Sequence, residues 1–112
     1  METVQKHDDH IQLCFDCAAA CERCIAGCLE EEHLHAVKNC IRLCRECADF
    51  CTLCARLTAR GSVFMAGFMT LCAEVCEACA AECSQHTDDH CRQCAEACRR
   101  CADDCRRLSV TA

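Results

Sequence analysis

The chain has 112 residues, of which 53% are apolar when Cys is included, so it is long enough for one domain with a real core. It contains no Pro, Trp or Tyr and only 3 Gly, and this composition favours helix over strand. A formal net charge of −6, from 12 basic and 18 acidic residues, argues against nucleic acid as a partner. We therefore expect a single all-α domain over residues 1–112.

The first half of the chain predicts two long helices. Helix 1 is expected over about 3–29, and the spacing of its cysteines extends backwards to His10 and His7. A run of three Glu residues then places a break near 30–33, because acidic side chains suit the first turn of a following helix. Helix 2 is expected over about 33–59.

The second half predicts two more helices behind the clearest boundary in the sequence. Gly61 suits the left-handed position that follows a helix, and Ser62 suits the N-cap of the next one. Helix 3 is therefore expected over about 62–86. Thr87, followed by two Asp residues, suits the N-cap of helix 4, which is expected over about 88–108.

The cysteines of each helix recur at steps of three and four, the intervals that bring side chains to one helix face. Apolar residues usually occupy such a seam, whereas here it consists of thiols. The four stripes contain every cysteine of the chain: Cys14, Cys17, Cys21, Cys24 and Cys28; Cys40, Cys44, Cys47, Cys51 and Cys54; Cys72, Cys76, Cys79 and Cys83; and Cys91, Cys94, Cys98, Cys101 and Cys105.

Four helices joined by short turns predict an antiparallel up-down-up-down bundle about 30 to 40 Å long, with the thiols lining its core. This topology also predicts which residues meet at each end. One end is expected to gather His7, His10, Met65, Met69 and Cys105, and the other to gather Cys28, His33, His35, Asn39, His86 and His90.

The first ten residues have neither a basic region nor an apolar run of the secretory type, and no segment approaches the length of a membrane span. We therefore expect a cytoplasmic protein with no membrane partner. A reducing compartment argues against a ladder of disulfides, which leaves the thiols as metal ligands or as a catalytic reserve. Cysteine as a plain small hydrophobe would make a poorly packed core.

Charge distinguishes between metals. A Cys₄ zinc site carries about −2, so four such sites would place about −8 in the core with few cations nearby. One Cu(I) per bridging thiolate leaves the core close to neutral, and thiolate and thioether ligands select Cu(I). Two metal–sulfur bonds of roughly 2.3 Å in line would span the gap between neighbouring thiols. Iron–sulfur ligation is less suited to a continuous helical stripe, and a thiol redox enzyme would need one cysteine set apart by a low pKa.

Three segments resemble the cytosolic branch of the copper storage proteins: residues 40–49, residues 76–79, and residues 82–91 with the pair His86 and His90. The resemblance covers nearly the whole chain. It implies a four-helix bundle that holds many Cu(I) ions in its core, assembles as a homotetramer and takes up copper at one end. A copper-donating chaperone is a candidate further partner. It also implies that His86 and His90 bind or pass copper.

On these grounds the chain is expected to store or sequester Cu(I) without catalytic turnover, with all 19 cysteines and the two histidines as metal ligands. The alternatives from the residues are a thiol redox enzyme and an iron–sulfur or zinc-binding bundle. His7, His10, Met65 and Met69 could either close their end of the bundle or ligate copper.

Overall fold

The computed structural model describes residues 2–110, with side chains described from His7 onward. Its elements are α1 (Glu2–Leu29), α2 (Leu34–Ala59), α3 (Met65–Cys83) and α4 (Asp89–Ser109). No strand occurs between residues 2 and 110, so the predicted all-α fold is confirmed. Over the same residues, none of the helices combines the length and the hydropathy that crossing a bilayer would require.

The four helices form an antiparallel bundle in which each helix packs against its neighbours along the chain and α4 closes the ring against α1. The bundle is slender, with dimensions of 49 × 18 × 17 Å. It is longer than the predicted 30 to 40 Å because α1 has 28 residues, which at 1.5 Å per residue span about 42 Å. This narrow cross-section places one face of every helix on a shared central axis.

The connection between α2 and α3 agrees with the sequence at one residue and differs at the next. Gly61 has a φ of 62°, the left-handed conformation predicted for it. Ser62 was expected to cap α3, but this prediction is wrong because α3 begins only at Met65, after Phe64. The Ser62 hydroxyl instead accepts a hydrogen bond from the backbone N–H of Phe64 at 3.1 Å, so it stabilises the turn before the helix.

The connection between α3 and α4 is also longer than predicted. Helix α3 ends at Cys83 rather than near residue 86, and the N-cap of α4 is Asp88 rather than Thr87. Backbone bonds from Gln85 to Glu82 and from His86 to Cys83 replace the expected last helical turn. The histidine at position 86 therefore lies in the loop and not on the helix face.

The bundle axis is lined by cysteine and alanine. Alanines on the inner faces of all four helices are buried together with the thiols, among them Ala18, Ala55, Ala73 and Ala102. Small side chains let the helices approach closely, which keeps the sulfurs of different helices within reach of one another. Larger side chains pack on the flanks, where the rings of Phe50 and Phe68 stack with centroids 5.5 Å apart.

Candidate metal centre

The nineteen cysteines form one continuous column of free thiols along the bundle axis. Each is between 0% and 1% exposed. The sulfurs of Cys40 and Cys83 lie 3.4 Å apart, and those of Cys24 and Cys28 lie 4.0 Å apart. These separations hold both between helices and along one helix, as for Cys47 and Cys51 at 3.8 Å. The predicted seam is therefore present and fully shielded from solvent.

Along this column the sulfurs fall into overlapping groups of four. The groups whose sulfurs all lie within 4.8 Å of one another include 17/51/76/101, 17/21/47/98, 21/44/79/94, 24/40/44/83 and 24/28/40/91. Cys17, Cys21, Cys24, Cys40 and Cys44 each belong to two of these groups. Because groups that share a sulfur cannot all be separate tetrahedral sites, the column is arranged for ligands that bridge two metal ions.

Burial keeps thiols in the neutral form. At one end of the column, desolvation, with a further contribution from the neighbouring Cys40, raises the pKa of Cys28 to about 11. Desolvation is also the first cause of the raised pKa of Cys91 beside it. These two thiols can thus be buried without counterions, and a metal ion that binds them must displace their protons.

One end of the column is closed by a histidine. His10 is 0% exposed, and its Nε2 lies 3.3 Å from the sulfur of Cys14, 3.5 Å from that of Cys54 and 3.8 Å from that of Cys105. Its Nδ1 lies 2.8 Å from a carboxylate oxygen of Asp104. We call these five residues the His10 end.

Asp104 was not singled out in the sequence. It lies among basic residues on α4, where a carboxylate usually faces solvent, yet it is only 8% exposed. It also forms an ion pair with Arg107. Burial alone would lower the pKa of His10, but hydrogen bonds with Cys54 and Asp104 outweigh this effect, so the pKa lies above its usual value. The sequence signal for a buried Asp104 is its position, because it lies three residues after Cys101 on the same stripe.

The opposite end of the column is covered by His90, whose side chain is 24% exposed. Its Nδ1 lies 3.4 Å from the sulfur of Cys91 and 3.6 Å from that of Cys24, while its Nε2 lies 3.3 Å from a carboxylate oxygen of Glu31. With Cys28, these residues form what we call the His90 end. The predicted position of His90 beside the last stripe is therefore found in the structure.

The place for the His90 ring is provided by Gly27. A Cβ at that position would lie 2.5 Å from the ring carbon Cδ2 of His90, closer than unbonded carbons can approach. Glycine within a helix costs roughly 0.5–1 kcal/mol relative to alanine. The sequence analysis did not explain this glycine in α1, and the packing of His90 supplies a reason for it.

The other residues expected near the two ends make fewer contacts with the thiol column. The ring of His86 is partly exposed and hydrogen-bonds with Glu82 at 2.9 Å, and among the described residues this ring makes no hydrogen bond to a cysteine. His33, His35 and Asn39 are exposed. At the opposite end Met69 is fully buried, whereas His7 and Met65 are partly exposed.

Comparison with known proteins agrees with this architecture. The profile of a family described as "Copper storage protein" matches residues 3–110. A Bacillus subtilis (strain 168) protein described as "Uncharacterized cysteine-rich protein YhjQ" is 48% identical over 84 residues, which cover 75% of this chain and 78% of that protein.

Solved structures are similar over nearly the full length. The Cu(I)-bound copper storage protein BsCsp3 of Bacillus subtilis superposes with a TM-score of 0.89 at 45% identity, covering 93% of this chain and 98% of that one. A cytosolic copper storage protein from Streptomyces lividans, in a copper-loading structure with five coppers, gives a TM-score of 0.92 at 36% identity, with coverage of 96% and 95%.

Proposed function

Because this chain belongs to the copper storage protein family, we propose that it stores many Cu(I) ions along the thiol column. The ligands in this proposal are all nineteen cysteines, with His86 and His90 at the end where copper enters. The ions are cargo, taken up when copper is in excess and released when it is needed.

The overlap of the four-thiol groups is the observation that carries this proposal. Cys17, Cys21, Cys24, Cys40 and Cys44 each lie in two groups, so a metal in one group shares a sulfur with a metal in the next. Thiolates bridge Cu(I) ions readily, and one Cu(I) for each bridging thiolate leaves the core close to neutral. Separate Cys₄ zinc sites would each add about −2 to a protein whose formal net charge is already −6.

The sulfur spacing also indicates how copper would be held. With metal–sulfur bonds of about 2.3 Å, sulfurs 3.4 to 4.0 Å apart subtend roughly 95° to 120° at the metal. The linear arrangement considered from the sequence needs sulfurs about 4.6 Å apart. Sulfur pairs at these separations therefore fit bent copper coordination as they stand, while linear coordination between the same pairs requires the two sulfurs to move apart.

Binding exchanges protons for metal. Each Cu(I) that enters forms bonds to thiolate sulfurs, and each thiol that becomes a ligand loses its S–H proton to solvent, with no change in oxidation state. Uptake should therefore release about one proton per thiol used.

We propose that the protein acts without catalytic turnover. A thiol redox enzyme needs a cysteine that its substrate can reach, whereas every cysteine here is at most 1% exposed. Action in the cytosol is supported by the S. lividans relative, which is described as cytosolic. Assembly as a homotetramer is a proposal that rests on the family resemblance. Loading by a copper-donating chaperone is a separate proposal.

An anaerobic Cu(I) titration of the reduced protein, against a chelator of known affinity, tests the storage proposal. We expect uptake on the order of one ion per thiol, and the same protein titrated with Zn(II) should bind about four ions or fewer. A Cu(I) end point of four or fewer would contradict storage and would favour separate Cys₄ sites.

A further inference from the structure

The end of the thiol column at His10 poses a problem of coordination. In the middle of the column, a metal finds sulfurs in the layers on both sides, as Cys17, with sulfurs of two groups around it, illustrates. At the His10 end the column stops, and the donor that faces the last sulfurs is not a thiol. It is the Nε2 atom of a fully buried imidazole.

The distances at this end match a metal site. A metal with bonds of about 2.0 Å to nitrogen and about 2.3 Å to sulfur separates the two donors by roughly 3.5 to 3.7 Å at angles of 110° to 120°. The observed separations from Nε2 are 3.3 Å to Cys14, 3.5 Å to Cys54 and 3.8 Å to Cys105. All three sulfurs therefore lie within 3.8 Å of the same ring nitrogen.

The second ring nitrogen is held in the way that metal-binding histidines require. Nδ1–H donates to Asp104 at 2.8 Å, which leaves the lone pair of Nε2 directed at the sulfurs. Asp104 is itself fixed by its ion pair with Arg107. A buried carboxylate behind a buried imidazole orients the ring and raises its basicity as a ligand.

Resting on the storage function above, we propose that His10 is a nitrogen ligand of the Cu(I) ion at this end of the column, bound together with Cys14, Cys54 and Cys105. In this site Asp104 is a positioning residue, which acts through the ring and does not touch the metal. The sulfur of Cys14 lies 3.9 Å from that of Cys101, so the terminal ion remains linked to the next layer. A neutral nitrogen donor completes the terminal site without adding another negative charge to the core.

Nitrogen NMR of the parent protein, with ¹⁵N-labelled histidine, tests this assignment without a substitution. On anaerobic loading with Cu(I), the Nε2 resonance of His10 should shift strongly while Nδ1 keeps its proton, and the exposed His35 should not change. If the His10 ring is unaltered although uptake reaches about one ion per thiol, this inference fails and storage stands. If uptake stops at four ions or fewer, the storage proposal fails with it.

A pair of variants tests the positioning role. Asp104→Asn should weaken the binding of one Cu(I) by about 10- to 100-fold and should alter the ¹⁵N signals of His10. Its matched control, Asp103→Asn, changes an exposed residue of the same helix and should leave both readouts unchanged. Equal behaviour of the two variants would overturn the role given to Asp104. Retention of one Zn(II) at this site in the presence of excess Cu(I) would overturn the choice of copper.

Discussion

The two ends of the thiol column carry the same kind of residue in opposite settings. At one end His10 is fully buried, and its Nε2 faces the thiols while Asp104 accepts a hydrogen bond from Nδ1. At the other end His90 is partly exposed, and its Nδ1 faces the thiols while Glu31 is the partner of Nε2. Both rings pair a carboxylate with one nitrogen and present the other to sulfur.

This difference in burial separates two roles. A fully buried ring that contacts three thiols and a carboxylate can move only if the core opens, so the His10 end is suited to retaining metal. The His90 ring packs over Gly27 and is partly exposed to solvent, so the His90 end is suited to exchanging metal with solvent. The column between them sets capacity, and four experiments test this contrast.

The largest effect is expected on the stability of the metal-free protein. His10→Ala removes a fully buried side chain and the hydrogen-bond partner of Asp104, so it should lower the free energy of unfolding by about 2 to 3 kcal/mol. His90→Ala should cost less than about 1 kcal/mol, because the ring is partly solvated. Urea denaturation of the reduced, metal-free variants measures both values. Equal losses would remove the distinction between the two ends.

The next effect concerns the rate of copper exchange. Replacing His86 and His90 together by Leu should slow loading, and removal by a chelator, by about 10-fold or more, while uptake changes by no more than about two ions. The matched control replaces Met65 and Met69 by Leu at the opposite end, and it should exchange at the parent rate. If the Met65 and Met69 variant exchanges copper slowly while the His86 and His90 variant exchanges it at the parent rate, copper enters at the His10 end.

A smaller effect is expected from alkaline pH on the metal-free bundle. Desolvation, with a contribution from Cys40, raises the pKa of Cys28 from 9.0 to about 11. Because the folded state favours the protonated thiol, the contribution of Cys28 to stability is complete below pH 9 and falls as pH rises from 9 to 11. Over this range the folding equilibrium constant changes by at most about tenfold per pH unit. Anaerobic urea denaturation between pH 7 and 11 measures this slope, and Cys28→Ala should make it shallower. Stability that rises with pH in this window would contradict the assignment.

The smallest effect is expected from Gly27→Ala. Alanine should favour α1 by about 0.5–1 kcal/mol through helix propensity, but its Cβ would meet the His90 ring and displace it. We therefore expect unchanged or slightly higher stability together with altered copper exchange. Gly67→Ala is the matched control, because a Cβ at Gly67 meets nothing within 4 Å. If both variants exchange copper at the parent rate, the covering role of His90 is wrong.

Most of the thiol column could be predicted from spacing because helical periodicity is a local property. Steps of three and four between cysteines put the sulfurs on one face of each helix, and the burial of all nineteen confirms that face as the core. The left-handed turn at Gly61 was equally local. The start of α3 and the N-cap of α4 could not be predicted in this way. Ser62 hydrogen-bonds within the turn before α3 instead of capping the helix, and Asp88 stands at the N-cap of α4 in place of Thr87.

The four helices, the face that each one buries and the soft-metal chemistry of that face could be predicted from the sequence, since all three follow from residue type and interval. How the ends of the column are built depends on contacts between distant parts of the chain. Asp104 reaches His10 across 94 positions of the chain, and His90 packs over Gly27 from another helix. Such pairs depend on the axial register of helices against one another, which is set by packing over the whole bundle and has no signature in a local pattern.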